Sequence, residues 1–500
     1  MRYSSSRGEG SPITAAEAIK MGIAPDGGLF VPDRVPLITE DIWCKMPGQT
    51  YQERAIAILS YYLQDFSKEE INQCVYRAYN QSSFGDERIA PLVQIKEGLY
   101  IQELWHGPTC AFKDMALQLL PHLMVASAAK TGEKDEIIIL VATSGDTGKA
   151  ALEGFKDVER IKIIVFYPQD GVSEVQKQQM ISQTGHNVFV AAVEGNFDDA
   201  QNGVKKIFAD QAFIETLARN GMKMSSANSI NWGRLLPQIV YYVSAYVDLQ
   251  ASGRIKSGEA VNVVVPTGNF GNILAAYYAG QMGVPINRLI CASNTNNVLT
   301  EFIRTGVYDR QREFARTISP SMDILISSNL ERLLYEVGHD AAAVAAWMEE
   351  LKNSGKYQVD DVTRAKIAAL FWGDYSSDEE TKATIRSTWE EDNYLLDTHT
   401  AVGRNVYDKY VRSTGDQTPT IIVSTASPYK FGKSVAEAIL KPELIKGQDE
   451  YAILKTLAEY TGVPIPAGLR DLDKRPVLHK MASSKDDMGE TVLNYLRLNS

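Results

Sequence analysis

The stretch HGPTCAFKDMALQLL, residues 106–120, places a single lysine among small, apolar and aromatic residues. On a helical wheel Lys113 falls at the margin of the apolar stripe, so its amine can reach water or turn into the protein. A lysine in that position is usually a surface residue with a buried stem and a solvated head. A lysine that turns inward can instead serve as a nucleophile toward a carbonyl carbon.

A glycine-containing turn follows the apolar run VNVVV, residues 261–265. In the next segment, PTGNFGNILAAYYA, Gly268 and Gly271 allow a tight turn, and we predict a helix from near Ile273. Successive backbone N–H groups at that helix start would point into one concavity and hold a phosphate group. The segment lacks the lysine and the spacing of a P-loop, which indicates phosphate binding without Mg²⁺. An ordinary strand-to-helix turn remains the alternative.

A second turn follows the run IIILVA, residues 137–142. In TSGDTGKAALEGF, polar side chains lie beside two glycines at a predicted helix start, namely Thr143, Ser144, Asp146 and Thr147. Backbone N–H groups and hydroxyls in that arrangement suit a carboxylate ligand, whereas a simple N-cap needs only one such residue. We exclude a nucleotide-binding loop, because the intervening residues are too few and no Ser or Thr follows Lys149.

Two further segments carry polar groups next to apolar runs. Ser424 and Thr425 end the run TIIVST, where a hydroxyl either caps the next turn or serves as a neutral partner for a ligand. The segment KMSSANSINWGRLLPQIVYY begins with a dense polar set, Ser225, Ser226, Asn228, Ser229, Asn231 and Arg234. Such a set is either a solvated loop or the edge of an anion site. Arg234 favours the anion site, because a guanidinium recognises phosphate with two parallel hydrogen bonds.

Alternating strands and helices must position these turns. We predict strands at IIILVA, IKIIVFY (161–167), NVFVAAVE (187–194), VNVVV and TIIVST, with helices from Thr147, Ser173 and Phe197. Continuous β-branched runs separated by helices indicate parallel strands buried on both faces and joined by right-handed crossovers. The fold class is therefore α/β, with at least two sheet-bearing units.

The same alternation suggests three domains. We expect a mainly helical N-terminal domain at 1–95, a smaller α/β domain at 135–225, and a larger one at 96–134 and 226–500. A helical insertion is expected around 330–395. Within it, 341–351 and 362–372 are predicted helices and GDYSSDEETK, residues 373–382, an acidic loop.

Composition excludes several classes of protein. The chain has 500 residues, of which 44% are hydrophobic and 23% charged, and its net charge of -11 argues against a nucleic-acid or anionic-membrane partner. Four scattered cysteines without a CxxC pair, and six histidines without HxxxH or HExxH spacing, predict no disulfide framework and no metal site. No apolar stretch predicts a signal peptide or a membrane span, so we expect a cytoplasmic protein.

An inward lysine, a metal-free monophosphate site and a carboxylate-binding turn are the parts that a lysine Schiff base to pyridoxal 5′-phosphate requires. The chain closely resembles the threonine synthase family, within the tryptophan-synthase-like fold type II pyridoxal enzymes. The motifs that carry the resemblance run in family order over nearly the whole chain: APDGGLFVP, HGPTCAFKD, SGDTG, AVEGNFDDAQ, SSANSINWGR, PTGNFGN and SPSMDI. HGPTxAFKD together with SANSIN separates this family from dehydratase and cysteine-synthase relatives.

The resemblance implies roles for individual residues. Lys113 would form the internal aldimine, and Thr425 would meet the pyridine nitrogen of the cofactor. The cofactor phosphate would lie in a cradle of Gly268, Asn269, Phe270, Gly271 and Asn272. The substrate carboxylate would be held by Ser144, Gly145, Asp146 and Thr147, and the substrate phosphate by Ser226, Asn228, Ser229, Asn231 and Arg234. Asp146 stands where relatives often carry asparagine near the ring hydroxyl, and its partner is left open.

The implied reaction converts O-phospho-L-homoserine and water to L-threonine and phosphate by γ-elimination and β-hydration. The implied partner is this small molecule, with no nucleic acid and no membrane, and the chain is expected to be a monomer or a homodimer. Two other functions fit the residues. One is a related pyridoxal phospholyase that yields a keto acid, and the other is a non-catalytic phosphometabolite-binding protein in which Lys113 is a boundary lysine.

Overall fold

Two sheets of mainly parallel strands organise the chain, and a helical N-terminal segment precedes them, which confirms the predicted α/β fold class. The computed structural model describes residues 1–143, 145–169 and 172–498. No helix in these ranges combines the length and the apolar character needed to cross a membrane.

The N-terminal segment is mainly helical. Its elements are β1 Tyr3–Ser5, α1 Ala15–Met21, β2 Phe30–Pro32, α2 Glu40–Trp43, α3 Tyr51–Tyr62 and α4 Lys68–Ala78. Thr14, Thr50 and Ser67 each form a capping box with a glutamate three residues later, which fixes where α1, α3 and α4 begin. The short strands β1 and β2 pair in antiparallel fashion.

Strands and helices alternate through the middle of the chain. The first part comprises β3 Leu92–Lys96, β4 Leu99–Glu103, α5 Lys113–Leu117, α6 Leu120–Lys130, β5 Glu136–Ala142, α7 Asp146–Phe155, β6 Ile161–Pro168, α8 Glu174–Ile181, β7 Val188–Val193, α9 Phe197–Ala209, α10 Gln211–Arg219 and β8 Met222–Ser225. The second part comprises α11 Trp232–Ala251, β9 Val261–Pro266, α12 Gly271–Gln281, β10 Ile286–Ser293, α13 Val298–Thr305 and β11 Val307–Asp309.

The last third of the chain is mostly helical. It comprises α14 Leu330–Gly338, α15 Ala341–Ser354, β12 Lys356–Gln358, α16 Asp361–Leu370, β13 Phe371–Tyr375, α17 Asp378–Asp392, α18 Thr398–Thr414, β14 Thr420–Ser424, α19 Gly432–Ile439, α20 Pro442–Ile445, α21 Glu450–Thr461, β15 Met481–Ser483 and α22 Met488–Leu496. Short 3₁₀ turns lie at Met46–Gly48, Pro320–Met322, Pro428–Phe431 and Leu472–Lys474.

The two large sheets differ in the number and direction of their strands. The six-stranded sheet has the order β13-β10-β9-β14-β4-β3 and is parallel except for the antiparallel β3–β4 pair. The five-stranded sheet has the order β15-β7-β6-β5-β8 and is parallel throughout. Its edge strand β15 comes from the C-terminal part of the chain, outside the range 135–225 predicted for the smaller domain. The predicted domain boundaries stay a prediction.

Helix α11 is the central buried helix of the molecule. It packs against α3 of the N-terminal segment, against α5 and against α12. Its sequence is apolar on nearly every side, and a helix of that kind is buried all round. It therefore ties the N-terminal segment to the elements that carry Lys113 and the turn after β9.

Most predicted elements are confirmed, and two predictions in the insertion are wrong, a helix end and an acidic loop. The helix predicted at 362–372 ends at Leu370, because Phe371 and Trp372 begin β13 and pair in parallel with β10. The acidic segment 373–382 is not a loop. Its first residues finish β13, and α17 begins at Asp378 behind a capping box formed by Ser377 and Glu380.

Candidate active site

Lys113 is held at the carboxyl end of the central strand β14. The backbone N–H of Phe112 donates to the carbonyl of Thr425 over 2.8 Å, and Ala111 forms a β-bridge with Ala426. Lys113 then opens helix α5. Ligands of parallel sheets bind at the carboxyl ends of the strands, and this link puts Lys113 beside Thr425 at such an end.

The side chain of Lys113 turns inward. It is 13% exposed, and its Nζ lies 3.4 Å from Ser321 Oγ and 3.7 Å from Asp146 Oδ2. Burial lowers the pKa of Lys113, the negative charge of Asp146 partly opposes that effect, and Lys430 and Arg234 lower the pKa further. The uncharged amine, which is the nucleophilic form, is therefore favoured.

Asp146, whose partner the sequence left open, is surrounded by donors. Its Oδ1 lies 3.1 Å from Lys430 Nζ and accepts a hydrogen bond from Gln176 over 2.8 Å. Its Oδ2 accepts a hydrogen bond from Ser321 Oγ over 2.9 Å. Burial by itself would raise the pKa of Asp146, but Lys430 and Lys113 hold that pKa well below its usual range. Asp146 is therefore an ionised carboxylate beside the Lys113 amine.

The turn that carries Asp146 requires glycine. Gly145 has a φ of 140°, and a Cβ there would lie 2.6 Å from the side chain of Gln176. The hydroxyl of Thr143 accepts hydrogen bonds from the N–H groups of Gly145 and Gly148, each over 2.9 Å. Thr147 is half-buried on the first turn of α7. Ser144 lies outside the described residues.

The turn after β9 leaves a row of backbone donors without acceptors. Phe270 adopts a left-handed conformation with a φ of 65°, and α12 begins at Gly271. None of the described residues accepts a hydrogen bond from the N–H groups of residues 268–273. Asn272 Nδ2 is also buried and unpaired, while the hydroxyl of Tyr242 donates to Asn272 Oδ1 over 2.6 Å. These donors form an anion cradle at a helix start.

Neighbouring segments fix the shape of this cradle. The hydroxyl of Ser327 donates to the carbonyl of Gly268 over 2.7 Å, and the N–H of Asn329 donates to the carbonyl of Asn269 over 3.1 Å. A Cβ on Gly268 would lie only 2.8 Å from the carbonyl oxygen of Ser321. The residue at 268 must therefore be glycine for the turn to pack against the segment that carries Ser321.

Arg234 is a buried guanidinium with few partners. It is 3% exposed and donates to the carbonyl of Ala227, whereas its Nε has no hydrogen-bond partner within the described chain. Burial lowers the pKa of Arg234 to about 10. A buried guanidinium that is not paired with a carboxylate can bind an anionic ligand without first breaking an ion pair within the protein.

The polar residues around Arg234 have different surroundings. The hydroxyl of Ser226 accepts from the N–H of Asn228, whose side chain is exposed, and Ser229 is half-buried. Asn231 is fully buried and caps α11. Its Oδ1 accepts from the N–H of Gly233, and its Nδ2 donates to the carbonyls of Ile19 and Ser226. Both amide groups of Asn231 are thus engaged with the protein.

Sequence reasoning assigned no role to four residues that the fold brings to this site: Gln176, Ser321, His399 and Lys430. His399 Nδ1 lies 3.0 Å from Asp397 Oδ1, and His399 Nε2 accepts the N–H of Ser321 over 3.1 Å, so the imidazole fixes the Ser321 turn. The motifs SPSMDI and ASPYKF contain Ser321 and Lys430. Their spacing in the chain gives no sign that they meet Asp146.

Comparisons with protein-family models cover most of the chain. A model described as threonine synthase N terminus matches residues 2–79, one described as pyridoxal-phosphate dependent enzyme matches 85–375, and one described as threonine synthase, C-terminal matches 400–481. The second model alone spans more than half of the chain.

Individual relatives agree with these models. The chain is 42% identical over 460 residues to threonine synthase-like 1 from Homo sapiens, covering 90% of this chain and 61% of that protein. It thus spans about 61% of the length of the threonine synthase-like 1 relatives. It is 39% identical over 442 residues to threonine synthase from Pseudomonas aeruginosa, covering 88% of this chain and 90% of that protein.

Solved structures show the same fold. A PLP-bound threonine synthase from Brucella melitensis superposes with a TM-score of 0.87 at 38% identity, covering 99% of both chains. Threonine synthase from yeast superposes with a TM-score of 0.88 at 34% identity, covering 99% of this chain and 98% of that one. The chain therefore belongs to the threonine synthase family of pyridoxal-phosphate-dependent enzymes.

Proposed function

We propose that the protein is a threonine synthase that converts O-phospho-L-homoserine and water to L-threonine and phosphate. The observation that carries this proposal is the inward-turned amine of Lys113 near a row of backbone donors, at residues 268–273, for which no described residue supplies an acceptor. Pyridoxal phosphate has an aldehyde for the amine and a phosphate for the donors. The chain's own residues thus fit the family's cofactor at both ends.

The cofactor would be held by three parts of the site. Lys113 would bind it covalently, and the turn from Gly268 to Asn272 would receive its phosphate. Thr425, at the end of β14, would face the ring nitrogen with a hydroxyl, which does not hold that nitrogen protonated as a carboxylate would. When bound, pyridoxal phosphate withdraws electrons from the substrate and makes protons on its carbon chain easier to remove.

Lys113 is placed to move protons during the reaction. Next to a bound substrate, the Lys113 amine would take a proton at Cα and at Cβ and would later return one to Cα. Burial, Lys430 and Arg234 lower the pKa of Lys113, which makes the base form easier to reach than in an exposed lysine. Asp146 stays ionised 3.7 Å from this amine, and the Ser321 hydroxyl lies between the two, 3.4 Å from Lys113 Nζ and 2.9 Å from Asp146 Oδ2.

The substrate carboxylate would lie at the start of α7. The Asp146 side chain is an anion that faces lysines, so its contribution to a carboxylate site would come from its backbone N–H rather than from its own carboxylate. The N–H of Thr147, the Thr147 hydroxyl, Gly145 and Ser144 would complete that site.

The substrate phosphate would lie against Arg234. The unpaired Nε of this buried guanidinium, with Ser226, Asn228 and Ser229 nearby in sequence, would take up the charge that develops as the Cγ–O bond breaks. A proton would be delivered at Cγ, the hydroxyl of water would add at Cβ, Cα would regain its proton, and the released phosphate would keep the remaining proton. The atoms of O-phospho-L-homoserine and water are thereby conserved in threonine and phosphate.

Product analysis tests this proposal. The cofactor-loaded protein is incubated with O-phospho-L-homoserine, and threonine and inorganic phosphate are measured together. We expect equal amounts of the two. Release of phosphate with a keto acid and ammonia in place of threonine would establish the phospholyase, an outcome to test because relatives named threonine synthase-like 1 are 42% identical. Binding of the substrate with no turnover would establish a binding protein and contradict both enzymes.

We also propose that the protein acts in the cytoplasm as a monomer or a homodimer. All four of its cysteines are free thiols, as is usual in a reducing compartment. Cell fractionation checks the location, and sedimentation equilibrium of the cofactor-loaded protein checks the assembly state. Recovery in an oxidising compartment, or a larger assembly, would contradict these two statements.

A further inference from the structure

A second lysine, Lys430, is buried at the site opposite Lys113. It lies in the 3₁₀ turn Pro428–Phe431 that follows β14, and none of its side chain is exposed. Its Nζ lies 3.1 Å from Asp146 Oδ1 and donates to the carbonyl of Thr109 over 2.7 Å. A buried ammonium is stable only with such acceptors, so Lys430 is bound to Asp146 through a direct charge contact.

The two oxygens of Asp146 are already engaged before Lys113 is considered. Lys430 and Gln176 occupy Oδ1, and Ser321 occupies Oδ2. Lys113 Nζ lies 3.7 Å from Oδ2, which is beyond hydrogen-bond distance. The carboxylate is therefore the direct partner of Lys430 and only a more distant neighbour of Lys113.

We propose that Lys430 is a positioning residue that serves as the bound counter-ion of Asp146 and thereby disfavours a positive charge on the Lys113 amine. Lys113 and Lys430 both face the Asp146 carboxylate, and the direct contact belongs to Lys430. A second positive charge on Lys113 would then be opposed by the charge of Lys430. The inference rests on the proposed role of Lys113 as the residue that bears the cofactor.

The other charged groups around Lys113 do not replace this arrangement. Arg234 on α11 adds a further positive charge that disfavours protonated Lys113. His399 on α18 contacts the Ser321 N–H through Nε2 and Asp397 through Nδ1, and it makes no hydrogen bond to Lys113 among the described residues. Asp114, the next residue of α5, directs its carboxylate to the N–H and hydroxyl of Thr109 rather than to Lys113.

Competitive labelling of the cofactor-free protein with acetic anhydride measures the charge state of Lys113 directly. The acetylated fraction of the Lys113 peptide is determined by mass spectrometry between about pH 6 and pH 10, relative to the exposed Lys206, and the midpoint is compared among variants. Lys430→Met should raise the midpoint by about one pH unit, a roughly tenfold loss of reactive amine near neutral pH. Asp146→Asn should move the midpoint in the opposite direction, because it removes the negative charge.

A matched control uses the other buried lysine of this region. Lys149 on α7 is paired with Glu153 over 3.0 Å and makes no contact with Asp146 among the described residues. Lys149→Met removes the same charge from a comparably buried position and should leave the Lys113 midpoint unchanged. An equal shift in Lys149→Met would mean that any buried positive charge in this region lowers the Lys113 midpoint. That result would overturn the specific role of Lys430.

The remaining outcomes also decide the inference. An unchanged midpoint in Lys430→Met, or shifts of the same sign in Lys430→Met and Asp146→Asn, would overturn it. If Lys430→Met does not fold, Lys430→Gln retains a donor for the Thr109 carbonyl, and the same upward shift is expected. Failure of the proposed function is distinguishable, since it would appear as a lack of cofactor attachment to Lys113 whatever the labelling midpoint.

Discussion

Two regions of the candidate site differ in how completely the protein satisfies its own polar groups. Around Asp146, a single carboxylate receives Lys430, Gln176 and Ser321, and the charges nearly balance. At the turn from Gly268 and at Arg234, donors lack acceptors among the described residues. A buried donor without a partner costs about 1–3 kcal/mol.

This difference separates the reacting group from the binding groups. The Asp146 carboxylate is satisfied within the chain, so the charges that face the Lys113 amine are in place before any ligand binds. The turn from Gly268 and the guanidinium of Arg234 would have all of their donors paired only with an anion present. We infer that the free energy of ligand binding comes from these unpaired donors, whereas the reactivity of Lys113 is set by the fold itself.

The largest expected effect is at Arg234. Arg234→Met should lower kcat/KM for O-phospho-L-homoserine by about 10²–10³-fold, because the leaving phosphate loses a buried charged donor. Arg234→Lys should recover only part of this loss, since an ammonium lacks the two-pronged geometry. Steady-state kinetics measures both variants.

The surface variant Arg304→Met is the matched control, as Arg304 is 49% exposed and pairs with Asp374. It should keep the activity of the unmodified protein. A loss of less than threefold in Arg234→Met would remove Arg234 from the anion-binding region and weaken the contrast between the two regions.

A smaller effect is expected at the cradle. In Gly268→Ala the new methyl group would lie 2.8 Å from the Ser321 carbonyl and push the two segments apart. Overpacking of this kind costs about 1–3 kcal/mol, so the dissociation constant for pyridoxal phosphate should rise roughly 5- to 150-fold. Titration of the cofactor-free protein, followed by absorbance, measures it.

Gly48→Ala is the control for this change, because a Cβ at Gly48 meets no atom within 4 Å. Its cofactor affinity should equal that of the unmodified protein. Equal affinities for Gly268→Ala and Gly48→Ala would mean that the turn after β9 does not hold the cofactor phosphate.

The smallest expected effect is at Thr425. Thr425→Val removes one neutral hydroxyl while keeping the shape of the side chain, and one such hydrogen bond contributes about 0.5–1.5 kcal/mol. Turnover should therefore fall by roughly 2- to 12-fold, whereas Thr425→Ser should stay close to the unmodified rate. A loss as large as that of Arg234→Met would place Thr425 among the essential groups and contradict the order proposed here.

The sequence predicted those parts of the site that depend on local structure. The turns at Gly145 and Gly268 are each a strand, a glycine and a helix start within a dozen or so residues, and such units keep their form in the fold. The inward turn of Lys113 needed the structure, because a residue at a stripe margin can face either way.

Contacts between distant segments could not be predicted. Ser321 and Asp146 are 175 positions apart, and Lys430 and Thr109 are 321 positions apart, so no periodicity links them. Asn231 shows the converse case. It belongs to a polar segment that suggested a ligand site, yet its amide caps α11 and joins α1 to that helix. Polar composition alone does not distinguish the two uses.

The incorrect helix boundary in the insertion has a similar origin. The apolar residues Phe371 and Trp372 continue the helical pattern of α16, but they also suit a strand. Pairing with β10 at the edge of the six-stranded sheet decides between the two. That partner strand lies about eighty residues earlier in the chain, outside any local window.

Reduction of the cofactor-loaded protein with borohydride, followed by peptide mass mapping, tests the central claim most directly. Three lysines with little side-chain exposure lie in the described part of this region, Lys113, Lys149 and Lys430, and only one of them should carry the cofactor. We predict a phosphopyridoxyl group on Lys113 and none in Lys113→Ala. A reduced adduct on Lys430 or Lys149, or no adduct after added cofactor, would contradict the account.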